Sequence, residues 1–403
     1  MAVRIQTALS EHPLATQAVG ECAGALLEAG GTHPDLLLLS VTPPLAGVLE
    51  DILGATHALL QPGVQIGVTT DRIITAAREV HGTTALSMCA LWLSRRATTE
   101  LSEQEPQPPR HLLRGLRLSA SADLENLAPG ENISSELESL RDATGTLILL
   151  ATPSVHLLNP LLERIAAIAP RLIVVGGSLG SSHFHGATQL CLHTEIYSSG
   201  IVAVVIPAEI PTCFSVSQAH LALGPALVAT RVERNVIYEI ENRGALEVVQ
   251  ELLKSVPAER RTAARDSLRI GLFAASSWSE QNSAEVVYRG VLGADKATGA
   301  IVVGQELTSG TTVQFAVPQA ETATSELQAM STELPTALAT LVFSSRSRGA
   351  DFYGLPNHEA SIIADAVDPA AVWGISCLEC LVPFESTSRV SESALGVLTF
   401  THQ

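Results

Sequence analysis

Two arginines and a glutamate lie where charged side chains could bind a small ligand. Arg346 and Arg348 follow the apolar run 338–343, and Glu379 follows the run 372–375. If these runs are neighbouring parallel strands, both end at one edge of a sheet, which is where open α/β sheets bind ligands. We expect the arginines to bind an anionic group and Glu379 a cationic group, as an amino-acid-like zwitterion requires. The alternative is a structural ion pair between Glu379 and one of the arginines.

Two short motifs contain residue types that bind metals. Cys377 and Cys380 form a C-x-x-C, which occurs in redox pairs and as half of a zinc site. His183 and His185 are two residues apart, so on an extended segment both imidazoles project to one side, as a metal or haem site requires. No second C-x-x-C occurs in the chain. We therefore expect buried or incidental cysteines, an exposed histidine loop and no metal.

Catalytic signatures are not prominent in the sequence. There is no Walker A sequence and no G-x-G-x-x-G turn after a strand, so no phosphate cradle is predicted. Residues 176–180 place glycine on both sides of Ser178, and we interpret them as a strand-end turn rather than a nucleophile elbow. We expect no catalytic residues. The alternative is an enzyme on an unusual α/β scaffold that uses Glu379, Cys377 and a histidine.

The elements that must position these residues follow a pattern that recurs three times. Each copy has an apolar run, a helical stretch, a second apolar run and a closing strand, which is typical of a βαβ crossover followed by an antiparallel strand. The first runs are 36–41, 147–151 and 338–343, the second runs are 64–68, 172–177 and 372–375, and the closing strands are 84–93, 201–206 and 395–401. The predicted cleft is lined by the strand ends, and it therefore includes Thr69, Ser178 and Gly374.

Between the second and third copies the pattern changes to short strands joined by glycine-containing turns, which indicates an antiparallel section. We therefore predict an α/β fold of repeated strand-helix-strand-strand units with mixed sheets. It would have two domains. Residues 1–213 would hold the first two units, and residues 214–403 the antiparallel section and the third unit.

Charge and hydropathy exclude two classes of partner. The net charge is −17 and no cluster of lysine and arginine occurs, so we expect no binding to nucleic acid. No apolar run approaches the roughly 20 residues that a membrane span needs, and the first residues lack a secretory signal. Six cysteines are spread along the chain, as expected where thiols stay reduced. We predict a soluble, cytoplasmic protein.

Seven blocks of the sequence, in the order in which they occur along the chain, resemble the FIST family of sensory domains. The chain departs from the family pattern at Ser344 and Ser345, one of which stands where cysteine is usual. It departs again at residues 218–220, which replace a glycine-rich turn, and a third time where Cys377 and Cys380 flank Glu379. The blocks are 64–80, 174–178, 229–240, 244–248, 288–301, 341–349 and 374–383.

The resemblance implies a non-catalytic signal-input domain for small ligands such as amino acids. It implies an N-terminal and a C-terminal FIST domain. Because no kinase, cyclase or coiled-coil segment occurs in these residues, we expect output through a signalling partner protein, with a homo-oligomer as a further option. One branch of the family binds haem and senses nitric oxide. A haem cofactor is therefore implied by the resemblance alone, and a haem-binding or metal-binding gas sensor is an alternative function. From the residues themselves we predict no cofactor.

Overall fold

The computed structural model describes residues 2–75, 78–94, 113–119, 135–153, 158–180, 188–258, 261–273, 286–333, 337–367 and 371–401. The strands up to residue 217 are β1 (Ala2–Ser10), β2 (Leu36–Val41), β3 (Val64–Thr69), β4 (Arg72–Thr75), β5 (Arg78–His81), β6 (Leu86–Ser94), β7 (Arg114–Leu118), β8 (Thr144–Ala151), β9 (Arg171–Ser178), β10 (Leu190–Leu192), β11 (Glu195–Tyr197), β12 (Ile201–Pro207) and β13 (Thr212–Ser217).

The later strands are β14 (His220–Ala222), β15 (Leu227–Glu233), β16 (Val236–Ile240), β17 (Arg243–Gly244), β18 (Arg269–Phe273), β19 (Val286–Asp295), β20 (Ala300–Val303), β21 (Thr312–Pro318), β22 (Ala337–Ser345), β23 (Val372–Cys377), β24 (Glu379–Phe384), β25 (Thr387–Ser391) and β26 (Leu395–Thr401). The helices are α1 (Ala15–Gly30), α2 (Leu49–Leu60, after a 3-10 turn over Pro43–Val48), α3 (Ser135–Glu138), α4 (Leu158–Ile168), α5 (Ala245–Lys254), α6 (Arg261–Asp266), α7 (Ala320–Glu333), α8 (Ala350–Tyr353) and α9 (His358–Ala366).

These strands form four sheets, of which three contain one repeated unit each. In every unit the first and second strands are parallel and the closing strand is antiparallel to the first, as predicted. The fourth sheet contains the antiparallel section, so the predicted α/β fold with mixed sheets is confirmed. The strand orders are β1-β6-β2-β3-β10-β11, β25-β24-β9-β8-β12-β7, β13-β26-β22-β23-β4-β5, and β14-β21-β15-β16-β20-β19-β18 with β17 beside β16.

The three unit sheets pack around one shared core, because alternate residues of each strand face opposite sides. Leu38 of β2, Ile148 of β8 and Phe343 of β22 all lie in this core. The other face of each sheet is covered by helices, as Leu39 illustrates by packing in a cluster with residues of α1 and α2. Burial on both faces explains why the central runs are almost continuously apolar.

Strands from one end of the chain complete sheets built by the other end. The β4–β5 hairpin pairs with β23, so a segment near residue 75 extends the sheet of the third unit. Strands β24 and β25 extend the sheet of the second unit beside β9. The division at residue 213 stays a prediction. None of the helices in the described ranges combines the length and apolar character that crossing a membrane requires.

Candidate functional site

A polar cleft of about 520 Å³ lies where the strands of the third unit end. One wall comes from the β4–β5 hairpin, and the other comes from the loop after β22 together with α8. The two walls therefore belong to segments about 270 residues apart in sequence. Its lining includes His81 and the charged residues Asp71, Arg72, Glu79, Arg346, Arg348 and Asp351.

The geometry of the parallel pair β22–β23 positions Arg346 at this cleft. Ser345 and Cys377 are opposite each other at the ends of the two strands, and the Arg346 N–H donates to the Cys377 carbonyl oxygen at 2.6 Å. Thr70 closes the same edge, because its hydroxyl donates to the Ser376 carbonyl oxygen at 3.0 Å. The carboxyl ends of the two strands thus meet as the sequence predicted.

Two oppositely charged side chains at the cleft are open to solvent. Arg346 and Asp351 are both exposed, and neither forms an ion pair with another residue in the described ranges. A guanidinium and a carboxylate on one cleft wall have the charges that a zwitterionic ligand requires.

Beneath them lies a buried network of four charged side chains. Arg348 Nε is 2.6 Å from Glu359 Oε1, with side chains 1% and 0% exposed. Arg72 Nη1 is 2.7 Å from Glu79 Oε2, and its Nη2 is 3.5 Å from Glu359 Oε2. Two arginines and two glutamates therefore compensate each other at the cleft floor, as buried charges require.

Glu359 is ionised despite its burial. Burial opposes ionisation, but Arg348 and Arg72 beside it hold the pKa of Glu359 below its ordinary value. Its oxygens also accept hydrogen bonds from the Ser344 hydroxyl at 2.5 Å and from the Tyr353 hydroxyl at 2.9 Å. The carboxylate is thus stabilised by both charge and hydrogen bonds.

Arg348 uses its donors within the protein. Besides Glu359, it donates to the carbonyl oxygens of Ser217 and Ser393 at 3.2 and 3.3 Å, and to the hydroxyl oxygens of Ser217 and Tyr353 at 3.1 and 2.8 Å. Arg348 therefore holds the cleft floor to the end of β13, whereas Arg346 is the arginine that a ligand can reach.

The hairpin wall is fixed to α9 by Glu79. Its Oε1 accepts from the backbone N–H groups of Glu359 and Ala360 at 3.1 and 3.4 Å, which are among the first residues of the helix. The Glu79 N–H donates to the Asn357 side-chain oxygen at 2.8 Å. A carboxylate at a helix N-terminus satisfies free donors and complements the helix dipole.

Glu379 and Ser178 meet at a different place. They are paired across β24 and β9, and the Ser178 hydroxyl donates to Glu379 Oε2 at 3.2 Å. Burial raises the pKa of Glu379, which the Ser178 hydrogen bond opposes, and the charges that act on it are those of Glu392 and Arg289. The structure therefore brings Arg346 and Arg348 to the cleft, and Glu379 is not among the described residues that line it.

Ser178 has the spacing of a G-x-S-x-G elbow but not its geometry. It is the last residue of β9 and fully buried, whereas the elbow nucleophile is exposed on a strained turn. It is not among the non-glycine residues of the described ranges that have positive φ. Gly176, two residues earlier, has φ +120°, and a Cβ at that position would lie 2.1 Å from the Leu149 carbonyl oxygen, so the backbone requires glycine there.

Gly374 and Thr69 are buried within strands. A Cβ on Gly374 would lie 2.8 Å from Val342 Cβ, so this glycine allows close packing of β22 and β23. Thr69 ends β3, and its hydroxyl oxygen accepts from the Gln189 N–H at 2.8 Å. Neither residue lines the polar cleft among its described lining residues.

The two C-x-x-C cysteines lie in the shared core. The Cys380 Sγ lies 3.3 and 3.2 Å from the carbonyl oxygens of Phe343 and Ala394, either of which can accept its one proton, and burial raises the pKa of this thiol. Across the described ranges, no group of three or more histidine, cysteine or carboxylate side chains could hold a metal ion. His183 and His185 lie outside the described residues.

Sequence reasoning missed Asp71, Arg72, Glu359 and Asp351. Arg72 and Glu79 fall in block 64–80, and Asp351 follows block 341–349 by two residues. The blocks that resemble the FIST family therefore already indicated these parts of the chain. Glu359 had the weaker signal of an acidic residue in the first turn of a predicted helix.

Comparisons with known proteins agree with the resemblance. A family model described as the FIST N domain matches residues 35–243, and one described as the FIST C domain matches residues 245–378. Because these matches cover most of the chain, the protein belongs to the FIST family. FIST domains are generally ligand-binding domains in sensory signal transduction.

Two mycobacterial proteins are similar over most of their length. The uncharacterized protein Rv0628c of Mycobacterium tuberculosis is 28% identical over 370 residues, which are 90% of each chain. The uncharacterized protein Mb0898c of Mycobacterium bovis is 26% identical over 371 residues, again 90% of each chain.

Proposed function

We propose that this FIST protein is a non-catalytic cytoplasmic sensor that binds a small amino-acid-like zwitterion in the polar cleft and signals through a partner protein. The observation that supports it is that Arg346 and Asp351, of opposite charge, are both exposed on one cleft wall above a floor of compensated buried charges. Arg346 would bind the ligand carboxylate through two parallel N–H donors. Asp351 would accept from the ligand ammonium.

The buried network orders the floor of the cleft before a ligand arrives. Arg72 and Glu359 already have opposite charges beside them, so a ligand would not have to neutralise the floor. Preorganised donors lower the entropic cost of binding. The ligand would therefore contact mainly the exposed charges at the rim.

The two walls supply a route from binding to output. One wall carries Arg346 and Asp351, and a ligand bound to them would also contact the β4–β5 hairpin at the exposed His81, which lines the cleft, and so hold the two walls together. Binding would stabilise the closed arrangement by its differential affinity for it. A partner protein that binds this closed arrangement preferentially would receive the signal.

A ligand screen with the purified chain tests the proposal. We expect one or more amino acids to raise the melting temperature, because a ligand at 100 times its Kd stabilises by about 2.7 kcal/mol. Mass spectrometry should recover that ligand unchanged. A panel in which no zwitterion stabilises the protein, or in which the ligand is converted, would contradict the sensor proposal. A response to haem alone would favour the gas-sensor alternative.

A further inference from the structure

A second pocket, with mainly apolar walls, lies in the antiparallel section of the fold. The proposed sensor function does not use this pocket. Its volume is about 760 Å³. The pocket is formed between the edge strand β14, the end of β21 and the helices α5 and α6. The apolar side chains on its walls include Leu221, Leu223, Leu252, Val256, Ala264 and Val317.

The pocket is open to a ligand. Leu221 on β14 is 42% exposed although it belongs to the pocket wall. Leu252 and Val256 are only partly buried, and both pack against the core of the antiparallel sheet. Cavities of roughly 300–1,000 Å³ with mainly apolar walls are the usual size and character of small-molecule sites.

The charges of the lining residues indicate which kind of ligand the pocket can bind. Among the described residues of the lining there is no lysine, arginine or histidine. The charged residue of the lining is Glu251, whose Oε2 is 2.7 Å from Arg243 Nη2, so its charge is already paired. The described part of the walls therefore offers no cationic group to an anion, and the chain's net charge of −17 disfavours an anionic ligand further.

We propose that this pocket binds one small, uncharged, apolar molecule, such as an aromatic or a short acyl compound with a single hydrogen-bonding end. The apolar walls would bury its hydrocarbon part. Ser255 and Gln319 at the lining offer polar atoms to that end. The pocket lies on different elements from the polar cleft, so the two sites are separate.

The experiment uses the full chain and N-phenyl-1-naphthylamine, an uncharged aromatic dye that fluoresces in apolar surroundings. We expect saturable 1:1 binding to the wild type. Leu221→Glu places a carboxylate on the wall and should weaken binding about tenfold or more, because the bound apolar molecule would remove water from that charge without pairing it. Ser255→Trp, which fills the pocket from its exposed side, should weaken it similarly.

The matched control is Leu292→Glu. Leu292 is 66% exposed on β19 and is not among the described lining residues, so this variant should bind the dye like the wild type. Absence of saturable binding, or equal affinity in Leu221→Glu and Leu292→Glu, would overturn the proposal. So would light scattering that shows a dimer which Leu221→Glu dissociates, since a second copy would then cover the pocket. The polar cleft is unchanged in these variants, so its own test is independent.

Discussion

Arg348 and Glu359 form an ion pair in which both side chains are at most 1% exposed, with 2.6 Å between Nε and Oε1. They lie eleven residues apart, at the end of the β22 loop and in the first turn of α9. The pair fixes that loop, and therefore the exposed Arg346, in relation to the helix.

Glu359→Gln should destabilise the protein strongly. The change leaves Arg348 and Arg72 without their shared carboxylate, and breaking a buried pair typically costs about 3–5 kcal/mol. Urea denaturation measures the free energy of unfolding. The control Glu163→Gln removes a carboxylate that is 60% exposed and pairs with Arg389, so it should cost less than about 1 kcal/mol. If Glu359→Gln lowered the free energy of unfolding by as little as the control does, the buried pair would not be stabilising.

His220 should make stability depend on pH below neutrality. Burial lowers its pKa to about 3, and its ring stacks on Tyr288 with centroids 3.8 Å apart. Because the unfolded pKa is about 6.5, its stabilising contribution is complete above that pH and decreases as pH falls towards the folded pKa. Between pH 7 and pH 5 the loss from this group should be about 2 kcal/mol.

His220→Gln isolates this contribution. The variant will be less stable at pH 7, because it loses the stacked ring, but its stability should fall less between pH 7 and pH 5. Urea denaturation at the two pH values gives the comparison. Equal losses of stability between pH 7 and pH 5 in the wild type and the variant would mean that folding does not lower the pKa of His220.

Thiol reactivity should separate Cys213 from the other five cysteines. Cys213 is exposed, whereas Cys22, Cys89, Cys191, Cys377 and Cys380 are buried. A thiol reagent should therefore modify one cysteine rapidly in the native protein and six after denaturation. Rapid modification of Cys377 and Cys380, read by peptide mass spectrometry, would instead support a redox role for the C-x-x-C.

Ligand binding should protect both walls of the cleft together. Hydrogen exchange of the amides in β4, β5 and α8 should slow when the ligand is present, because the proposed ligand contacts both walls. Amides of β1 lie outside the cleft and serve as the control. Protection of α8 alone would show that the hairpin takes no part in binding.

The repeated units could be predicted from the sequence because their apolar runs reflect burial on both faces of a parallel pair. The position of Arg346 followed from the same reasoning, since neighbouring parallel strands end at one edge. The hairpin wall could not be predicted. Ile74 is opposite Gly374 in the sheet, and no local pattern indicates a partner 300 residues away.

Glu379 shows the same limit. Because it follows the second strand of the third unit, the sequence predicted that Glu379 would lie in the same cleft as Arg346 and Arg348. The next strand, β24, instead pairs with β9 of the second unit and places Glu379 opposite Ser178. Glu359 was equally hidden, because an acidic residue in the first turn of a helix is usually exposed, and its burial depends on Arg348 and Arg72.

Titration calorimetry with Arg346→Ala tests the central claim most directly. With the zwitterion found in the screen, we predict at least about a tenfold loss of affinity, because a charged hydrogen bond contributes about 1.5–3 kcal/mol. Arg171→Ala, which removes an exposed arginine at the start of β9, should bind like the wild type. Wild-type affinity in folded Arg346→Ala would contradict the claim that this cleft binds the ligand.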